Sequence, residues 1–473
     1  MRPAGEETAI PEARLSLWLA EALGPAFEPA PQLEGRHRAD VCIVGGGYTG
    51  LWTAIRLKET DPSLDVALVE ARTCGSGASG RNGGFVLSWW SKFATLTKLF
   101  GTEEALRLAS ASADAVAQIG AFCHENGIDA SYRRAGWLWA AVNAAQLGAW
   151  RSTVDAADRA GIRPFEEVSA ERAAAMAGSP VHVGGVWEAS GATVHPVRLA
   201  LGLRGVAQRL GVRIFERSPM SSLSTDGGPE VRTPRGSVGA ERVVLATNAW
   251  AVRFPEIRRR ILVVGSDLVA TERIPERIQA SGWTSGVCVS DSRLLVHYYR
   301  TTEDGRIAFG KGGGTLGFGG SVGARFDGTS PRRAIVESAF RSTYPRLADV
   351  RVESSWTGPI DRSRSGLPGF GHLGARPDVV YGVGFSGNGV GPSHVAGRIL
   401  ASLALEREDQ WSRCGLVDVP AGTFPTEPFR FVGGLVVRTA IGRKERAEDE
   451  GRPPGRISSR LARLAPAGLT PTR

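Results

Sequence analysis

The clearest pattern of apolar and polar positions begins after Asp40, where Val41–Val44 form a continuous apolar run. A short unbroken apolar run is typical of a parallel strand that is buried on both faces. Helical spacing follows over residues 51–60, and a second apolar run over residues 64–69 ends at Glu70. The pattern therefore predicts a strand–turn–helix–strand unit that is closed by an acidic residue.

The turn of this unit carries a GxGxxG motif. Gly45 permits the tight turn, Gly47 lets the backbone approach a pyrophosphate, and Gly50 lets the helix pack close to the strand. The helix N-terminus offers free N–H groups to the phosphates, and the acid twenty residues later is placed to bind a ribose diol. Two later GxGxxG matches lack this context. The predicted cofactor contacts here are Gly45, Gly47, Tyr48, Thr49, Gly50, Glu70 and Ala71.

NAD and FAD both fit this fingerprint, and a polar glycine-rich loop just after the second strand distinguishes them. The loop reads GSGASGRNGG over residues 75–84. A nicotinamide dehydrogenase has no need of such a loop, whereas the rest of FAD must be threaded along the backbone toward its isoalloxazine ring. The loop therefore favours FAD, with predicted contacts at Ser79, Gly80, Arg81, Asn82, Gly83 and Gly84.

With these motifs the sequence resembles the amine-oxidising FAD family that contains D-amino acid oxidase, glycine oxidase and sarcosine oxidase. The SGRNGG stretch is most similar to the γ-glutamylputrescine oxidase branch, and the resemblance extends over nearly all of residues 39–410. In the family the helix N-terminus near residue 390 faces the flavin pyrimidine, where its dipole stabilises negative charge on the reduced ring. Asn388 replaces the histidine of many relatives, so we expect no side-chain proton transfer there. The resemblance implies further cofactor contacts at Thr247, Asn248, Gly358, Gly387, Asn388, Gly389 and Val390.

The resemblance also implies an α/β fold with two domains. One is a discontinuous, Rossmann-like FAD-binding domain, and the other is an α+β substrate domain that carries a mixed sheet over the flavin. The predicted FAD-binding segments are residues 39–88, 186–250 and 353–412. The predicted substrate segments are residues 89–185 and 251–352, with helices over 102–122 and 143–160.

Both ends of the chain lie outside these predicted domains. Residues 1–38 are predicted to be an N-terminal extension with a short amphipathic helix over 15–23. Residues 413–473 are predicted to be a helical appendage packed on the FAD-binding domain, with a mobile end beyond Pro466.

Composition and charge narrow the class of protein. The 473-residue chain carries a net charge of +9, which is a property of many nucleic-acid-binding proteins. Only five of its basic residues are lysines, and the arginines are spread over the whole chain, so we expect no nucleic-acid partner. The five cysteines show no zinc-binding spacing, which predicts a reduced, cytoplasmic protein without a metal site. No apolar run approaches the roughly 18 residues of a membrane span, and the acidic, proline-containing N-terminus does not resemble a secretory signal.

Amine oxidation by a flavin requires no strongly basic side chain, because a neutral amine can transfer its α-hydride directly once it is oriented. Strand alternation over residues 297–300 places Tyr298 and Arg300 on one face, where the arginine could bind a substrate carboxylate through two hydrogen bonds. The alternative is that Arg300 is an ordinary surface residue beside Tyr298 in the core. An aromatic pocket formed by Trp89, Trp90 and Trp356 is a further candidate, although each tryptophan is at least as well explained by packing.

In some oxidases of the resembled family a lysine near flavin N5 assists the reaction with oxygen. The two candidates here are Lys311 and Lys92. Some family members attach the flavin covalently through cysteine or histidine, but the 75–84 loop has no histidine and residues 297–413 contain no cysteine. We therefore expect non-covalent FAD.

Three functions remain open from the sequence. The first is an oxidase that converts a small amine or amino acid to an imine and uses oxygen as its electron acceptor. The second is an amine dehydrogenase that passes electrons to another acceptor. The third is a flavin-binding subunit without catalysis. The sequence does not identify the amine.

Overall fold

The computed structural model describes residues 15–25, 27–224, 227–319, 321–374, 376–419 and 422–467. Apart from Ala467, the segment predicted to be mobile lies outside these residues. The strands are β1 Gly35–Val44, β2 Val66–Val69, β3 Phe85–Val86, β4 Trp137–Ala141, β5 Glu166–Val168, β6 Gly184–Glu188, β7 Ala192–Thr193, β8 Arg213–Phe215, β9 Ser222–Ser224, β10 Glu230–Arg232, β11 Gly236–Leu245, β12 Leu262–Thr271, β13 Cys288–Asp291, β14 His297–Thr301, β15 Ile307–Lys311, β16 Val352–Arg362, β17 Gly369–Leu373 and β18 Arg376–Val383.

The helices cover the faces of the sheets that these strands form. They are α1 Leu17–Ala22, α2 Tyr48–Thr60, α3 Phe93–Phe100, α4 Thr102–Glu125, α5 Arg151–Arg159, α6 Ala170–Ala177, α7 Pro196–Arg209, α8 Pro255–Arg258, α9 Pro275–Ala280, α10 Arg333–Thr343, α11 Val390–Ala404, α12 Phe429–Asp449 and α13 Arg456–Ala462. None of the helices within the described ranges is both long enough and apolar enough to cross a bilayer.

The first sheet has the strand order β17-β18-β11-β1-β2-β8, and its neighbours from β18 to β8 are paired in parallel. Parallel neighbours need crossover connections, which cover the sheet and bury its strands on both faces. The strand–turn–helix–strand pattern is thus confirmed as β1, α2 and β2. The apolar residues of β8 and β11 and the residue before β8 are buried as well: Val212, Ile214, Val243, Val244 and Leu245.

The second sheet is mixed, with the order β16-β12-β15-β14-β13-β4-β6-β5 and one parallel pair, β13 with β4. One face packs on α6, α9 and α10 through an aromatic cluster that includes Tyr299, Phe309 and Tyr344. The other face is turned toward the first sheet. Strand β16 pairs with β12 in this second sheet, although its residues were predicted to belong with the FAD-binding segment 353–412.

Two predicted helical regions differ from the structure. The helix predicted over 143–160 begins only at Arg151, because Gly148 takes a left-handed conformation with φ 77° that interrupts it. The C-terminal appendage does form helices, but α12 packs largely on loops of the second sheet rather than on the first. Arg438 on this helix donates a hydrogen bond to the Gly314 carbonyl, 2.7 Å away.

Helices α2 and α11 cross at Gly397, where a Cβ atom would lie 2.7 Å from Trp52 Cβ and 2.8 Å from its carbonyl carbon. Gly397→Ala should therefore overpack the crossing and lower the free energy of unfolding by about 1–3 kcal/mol. The matched control is Gly442→Ala in α12, where a Cβ meets nothing within 4 Å and helix propensity predicts a gain of up to about 1 kcal/mol. Urea unfolding of both variants measures the difference, and equal stability would contradict the close crossing.

Candidate functional site

The turn between β1 and α2 is closed by glycines that leave no room for side chains. A Cβ on Gly45, which has φ 112°, would lie 2.6 Å from the Ala246 carbonyl oxygen. A Cβ on Gly50 would lie 1.9 Å from the Gly45 carbonyl oxygen, and one on Gly47 would lie 2.9 Å from Ser79 Oγ. These contacts bring the N-terminus of α2 directly against the ends of the strands. The turn thus has the geometry that a bound pyrophosphate requires.

Glu70 ends β2 beside this turn and is held by backbone amides. Its carboxylate accepts hydrogen bonds from Gly46 N at 2.7 Å and from Arg72 N at 2.9 Å. Burial raises the pKa of Glu70, although the same amides oppose that rise. The carboxylate is therefore fixed at the mouth of the turn, where a ribose diol would donate to it.

The second glycine-rich loop is fixed by its own side chains and by the N-terminal helix. Asn82 Nδ2 donates to the Ser79 carbonyl at 2.7 Å, and Asn82 Oδ1 accepts from Gly84 N at 2.7 Å. Helix α1 packs on the same loop: Ser16 Oγ donates to the Gly80 carbonyl at 2.6 Å, and the Trp18 indole N–H donates to the Asn82 carbonyl at 2.9 Å. These hydrogen bonds fix the conformation of the loop, which faces the interior.

Two polar atoms at the end of β11 have no partner among the described residues. Thr247 Oγ1 and Asn248 Oδ1 are both buried without a hydrogen bond. Buried polar atoms are nearly always satisfied, so an unmatched pair beside a nucleotide-type turn indicates a polar ligand. The observation fits a dinucleotide cofactor at this edge.

The loop before α11 completes the inner wall. Gly387 has φ 91° and lies against Ile360, whose Cδ1 would be 3.3 Å from a Cβ at that position. Asn388 Nδ2 donates to the Ser88 carbonyl at 3.0 Å, so this side chain is engaged in a structural contact. Helix α11 begins at Val390, and its N-terminus carries the partial positive charge of the helix dipole toward the interior.

All these segments surround one cavity of about 1120 Å³ between the two large sheets. Pockets for drug-sized ligands enclose about 300–1,000 Å³, so this cavity has room for an extended cofactor and a small substrate. It is lined by these predicted cofactor contacts: Gly45, Gly47, Tyr48, Thr49, Glu70, Ala71, Ser79, Arg81, Asn82, Gly83, Thr247, Asn248, Gly358, Gly387, Asn388, Gly389 and Val390. The remaining three, Gly50, Gly80 and Gly84, lie just behind the lining and are required sterically.

The cavity wall contains no covalent attachment point among the described residues, because none of those that line it is a cysteine or a histidine. All five cysteines are free and buried elsewhere. Non-covalent binding of FAD remains a prediction. Among the same residues, no cluster of three metal-binding side chains was found.

The structure places some of the candidate substrate residues in the cavity lining and others outside it. Tyr298 lines the cavity, and its hydroxyl lies 2.7 Å from Ser266 Oγ. Arg300 shares its face, as alternation predicted, but it does not reach the cavity. Its guanidinium donates to the Val194 carbonyl at 2.7 Å and stacks on Trp18 at 5.1 Å, so a carboxylate-binding role has no support. No pattern in the sequence predicted that α1 would cover Arg300.

Trp356 and Lys311 also lie outside the cavity lining. The Trp356 indole N–H donates to the Arg81 carbonyl at 3.0 Å, so this residue supports the flavin loop from behind. Lys311 Nζ contacts His297 Nε2 at 2.6 Å, and burial lowers the pKa of Lys311. The other lysine candidate, Lys92, does line the cavity.

Several lining residues had no signal in the sequence. They come from loops and strand ends of the second sheet whose positions depend on pairing between distant segments: Val264, Ser266, Ser290, Arg293, Leu294, Val296, Gly312 and Gly313.

The glycine turn yields a direct test of the cofactor site. Gly45→Ala should abolish FAD binding, because the added Cβ meets backbone at 2.6 Å and φ 112° is unfavourable for alanine. The measurement is visible flavin absorbance per mole of purified protein. The control is Gly205→Ala on α7, where the nearest atom to a Cβ is 3.6 Å away. A yellow Gly45→Ala protein with wild-type flavin content would refute the assignment.

Comparison with known proteins agrees with this geometry. The chain is 32% identical over 413 residues to gamma-glutamylputrescine oxidoreductase of Escherichia coli (strain K12), covering 86% of this chain and 94% of the relative. It is 25% identical over 392 residues to glycine oxidase of Geobacillus kaustophilus (strain HTA426), covering 79% and 94%. The crystal structure of glycine oxidase from Geobacillus kaustophilus superposes with a TM-score of 0.63, at 22% identity, over 79% of this chain and 96% of that one.

The sequence model of the DAO family, described as FAD dependent oxidoreductase, matches residues 40–403. That range contains both glycine-rich loops, the orphaned Thr247 and Asn248 oxygens and the start of α11. The chain therefore belongs to the DAO family of FAD-dependent oxidoreductases.

Proposed function

We propose that this enzyme oxidises the C–N bond of an amine or amino acid to an imine, with oxygen as the final electron acceptor and hydrogen peroxide as the second product. One observation carries the proposal: a single cavity joins the dinucleotide-binding loops to a wall supplied by the second sheet. The names of the relatives, an oxidoreductase of gamma-glutamylputrescine and two glycine oxidases, support an amine as the substrate class.

FAD, when bound, would supply the acceptor for the hydride that leaves the α-carbon with the electron pair of the broken C–H bond. The amine nitrogen must be neutral so that its lone pair forms the C=N bond as the hydride departs. The proton of an ammonium substrate is therefore lost to solvent before the transfer. Water then adds to the free imine, which breaks down to a carbonyl compound and an amine or ammonia.

The wall of the second sheet suits the binding of such a substrate. Tyr298 of β14 and Ser290 of β13 give this wall polar groups, and Phe85 of β3 with the following Leu87 adds an apolar side next to it. Burial raises the pKa of Tyr298, so its hydroxyl stays protonated and serves to orient the substrate rather than to remove a proton. These groups align the substrate and exclude water, which is the contribution that this chemistry requires from the protein.

Anaerobic mixing of the FAD-loaded protein with a panel of amines and amino acids tests the reaction itself. We expect at least one of them to bleach the flavin absorbance at a saturable rate. Admitting oxygen should then restore the colour with one hydrogen peroxide formed per imine. Bleaching with little peroxide would identify a dehydrogenase, and no bleaching by any amine would refute the proposed chemistry.

Lys92 is the candidate source of a positive charge for the reaction of the reduced flavin with oxygen. It lines the cavity, and burial together with the nearby Arg362 guanidinium lowers the pKa of Lys92 to about 7. We propose that its protonated form favours electron transfer to oxygen by stabilising the negative charge that develops. The cation is present below pH 7 and is lost as the pH rises through this value.

Lys92→Met should slow flavin reoxidation by about 100-fold or more, because loss of one group that stabilises developing charge costs about 10²–10³ in rate. Anaerobic reduction by the amine should change little. In the wild type the reoxidation rate should fall as pH rises through 7, and the variant should lose this dependence. Stopped-flow absorbance separates the two half-reactions, with Lys98→Met on α3 as the exposed control. Equal reoxidation by wild type and Lys92→Met would exclude the role.

A further inference from the structure

Helix α12 lies beyond the residues that match the family, which end at 403. It nevertheless contacts the part of the second sheet that forms the cavity wall. The loop between β13 and β14 contributes Arg293, Leu294 and Val296 to the lining, and the loop after β15 contributes Gly312 and Gly313. Both loops are bound by side chains of α12.

Three side chains of α12 make these contacts at intervals along one side of the helix. Arg438 donates to the Gly314 carbonyl at 2.7 Å. Glu445 Oε1 accepts from Leu295 N at 3.0 Å. Asp449 Oδ1 accepts from Arg293 at 2.6 Å. Each contact therefore fixes a residue of the lining or its direct neighbour in the chain.

The contacts belong to a buried network of charges. Arg293 also pairs with Asp291, which in turn accepts a hydrogen bond from His297 N at 2.9 Å. Lys311 contacts the ring of the same histidine at 2.6 Å. A buried charge that loses its partner is costly, so the network holds the loop and the helix in one arrangement.

Glu445 lies beside this network and interacts electrostatically with Lys311 and Arg293. Its side chain is 7% exposed, and burial raises its pKa to about 7. A buried carboxyl group is costly unless it is hydrogen-bonded, and the hydrogen-bond donor to Glu445 is a loop amide, Leu295 N. The amide that it accepts from lies between Leu294 and Val296, the two apolar residues that the loop presents to the cavity.

We propose that Glu445 and Asp449 are positioning residues that fix the Arg293–Val296 wall, and that α12 thereby sets the enzyme's affinity and selectivity for its amine. This inference rests on the proposed function for its substrate class. Helix α12, which follows the family domain, is thus the element that selects the substrate. It acts on the substrate wall rather than on the cofactor loops.

The test compares Glu445→Ala, which removes the acceptor, with Glu445→Gln, which keeps an amide oxygen in its place. Loss of one charge-assisted hydrogen bond should raise KM for the preferred amine about tenfold, with kcat and flavin content unchanged. Glu445→Gln should stay near the wild-type KM. Asp449→Ala, at a half-exposed position that tolerates truncation, should reproduce the effect, while Glu448→Gln on the same helix, paired with Lys444, is the control.

Hydrogen exchange of the peptide that contains Leu295 supplies a readout independent of turnover. Its exchange should accelerate in Glu445→Ala and match the wild type in Glu445→Gln and Glu448→Gln. An unchanged KM in both alanine variants, or a parallel fall of kcat and flavin content, would overturn the inference. Failure of every amine to bleach wild-type flavin would instead refute the proposed function, and the exchange experiment would still decide whether α12 holds the loop.

Discussion

The turn between β1 and α2 is the constraint on which the rest of the site depends. Its backbone passes so close to itself and to the end of β11 that only hydrogen fits at Gly45 and Gly50. This approach places the N-terminus of α2, the Glu70 carboxylate and the unmatched Thr247 oxygen around one point. A nucleotide can satisfy these groups, because its phosphates accept hydrogen bonds from the helix N-terminus and its ribose hydroxyls donate to the carboxylate.

Several segments that are distant in the chain support the cofactor loops around this turn. Helix α1 and Trp356, which pack on each other through Trp18, hold the second glycine-rich loop through hydrogen bonds to its carbonyl oxygens. Strand β16 belongs to the second sheet, yet it carries Gly358, where a Cβ would lie 2.8 Å from Arg81 Cβ. The two sheets are therefore joined at the cofactor loop itself, and α12 fixes the opposite wall of the cavity.

The candidate residues show where reasoning from the sequence succeeded and where it stopped. Alternation placed Tyr298 and Arg300 on one face of β14, which the structure bears out. Alternation carries no information about what covers each position, however, and Trp18 from the far end of the chain covers the arginine. Lys311 was equally plausible by composition, but its ammonium group contacts His297 and is not part of the cavity lining.

The sequence by itself determined the cofactor half of this protein, because nucleotide-binding turns are local. Their glycines, the following helix and the acid after β2 are set by short-range sterics and periodicity, so the motif predicts its own geometry. Only the tertiary structure decided the substrate half. Its wall is assembled from strands and loops of the second sheet, which α1 and α12 support from outside the cavity. Which of these side chains meet depends on contacts between residues hundreds of positions apart.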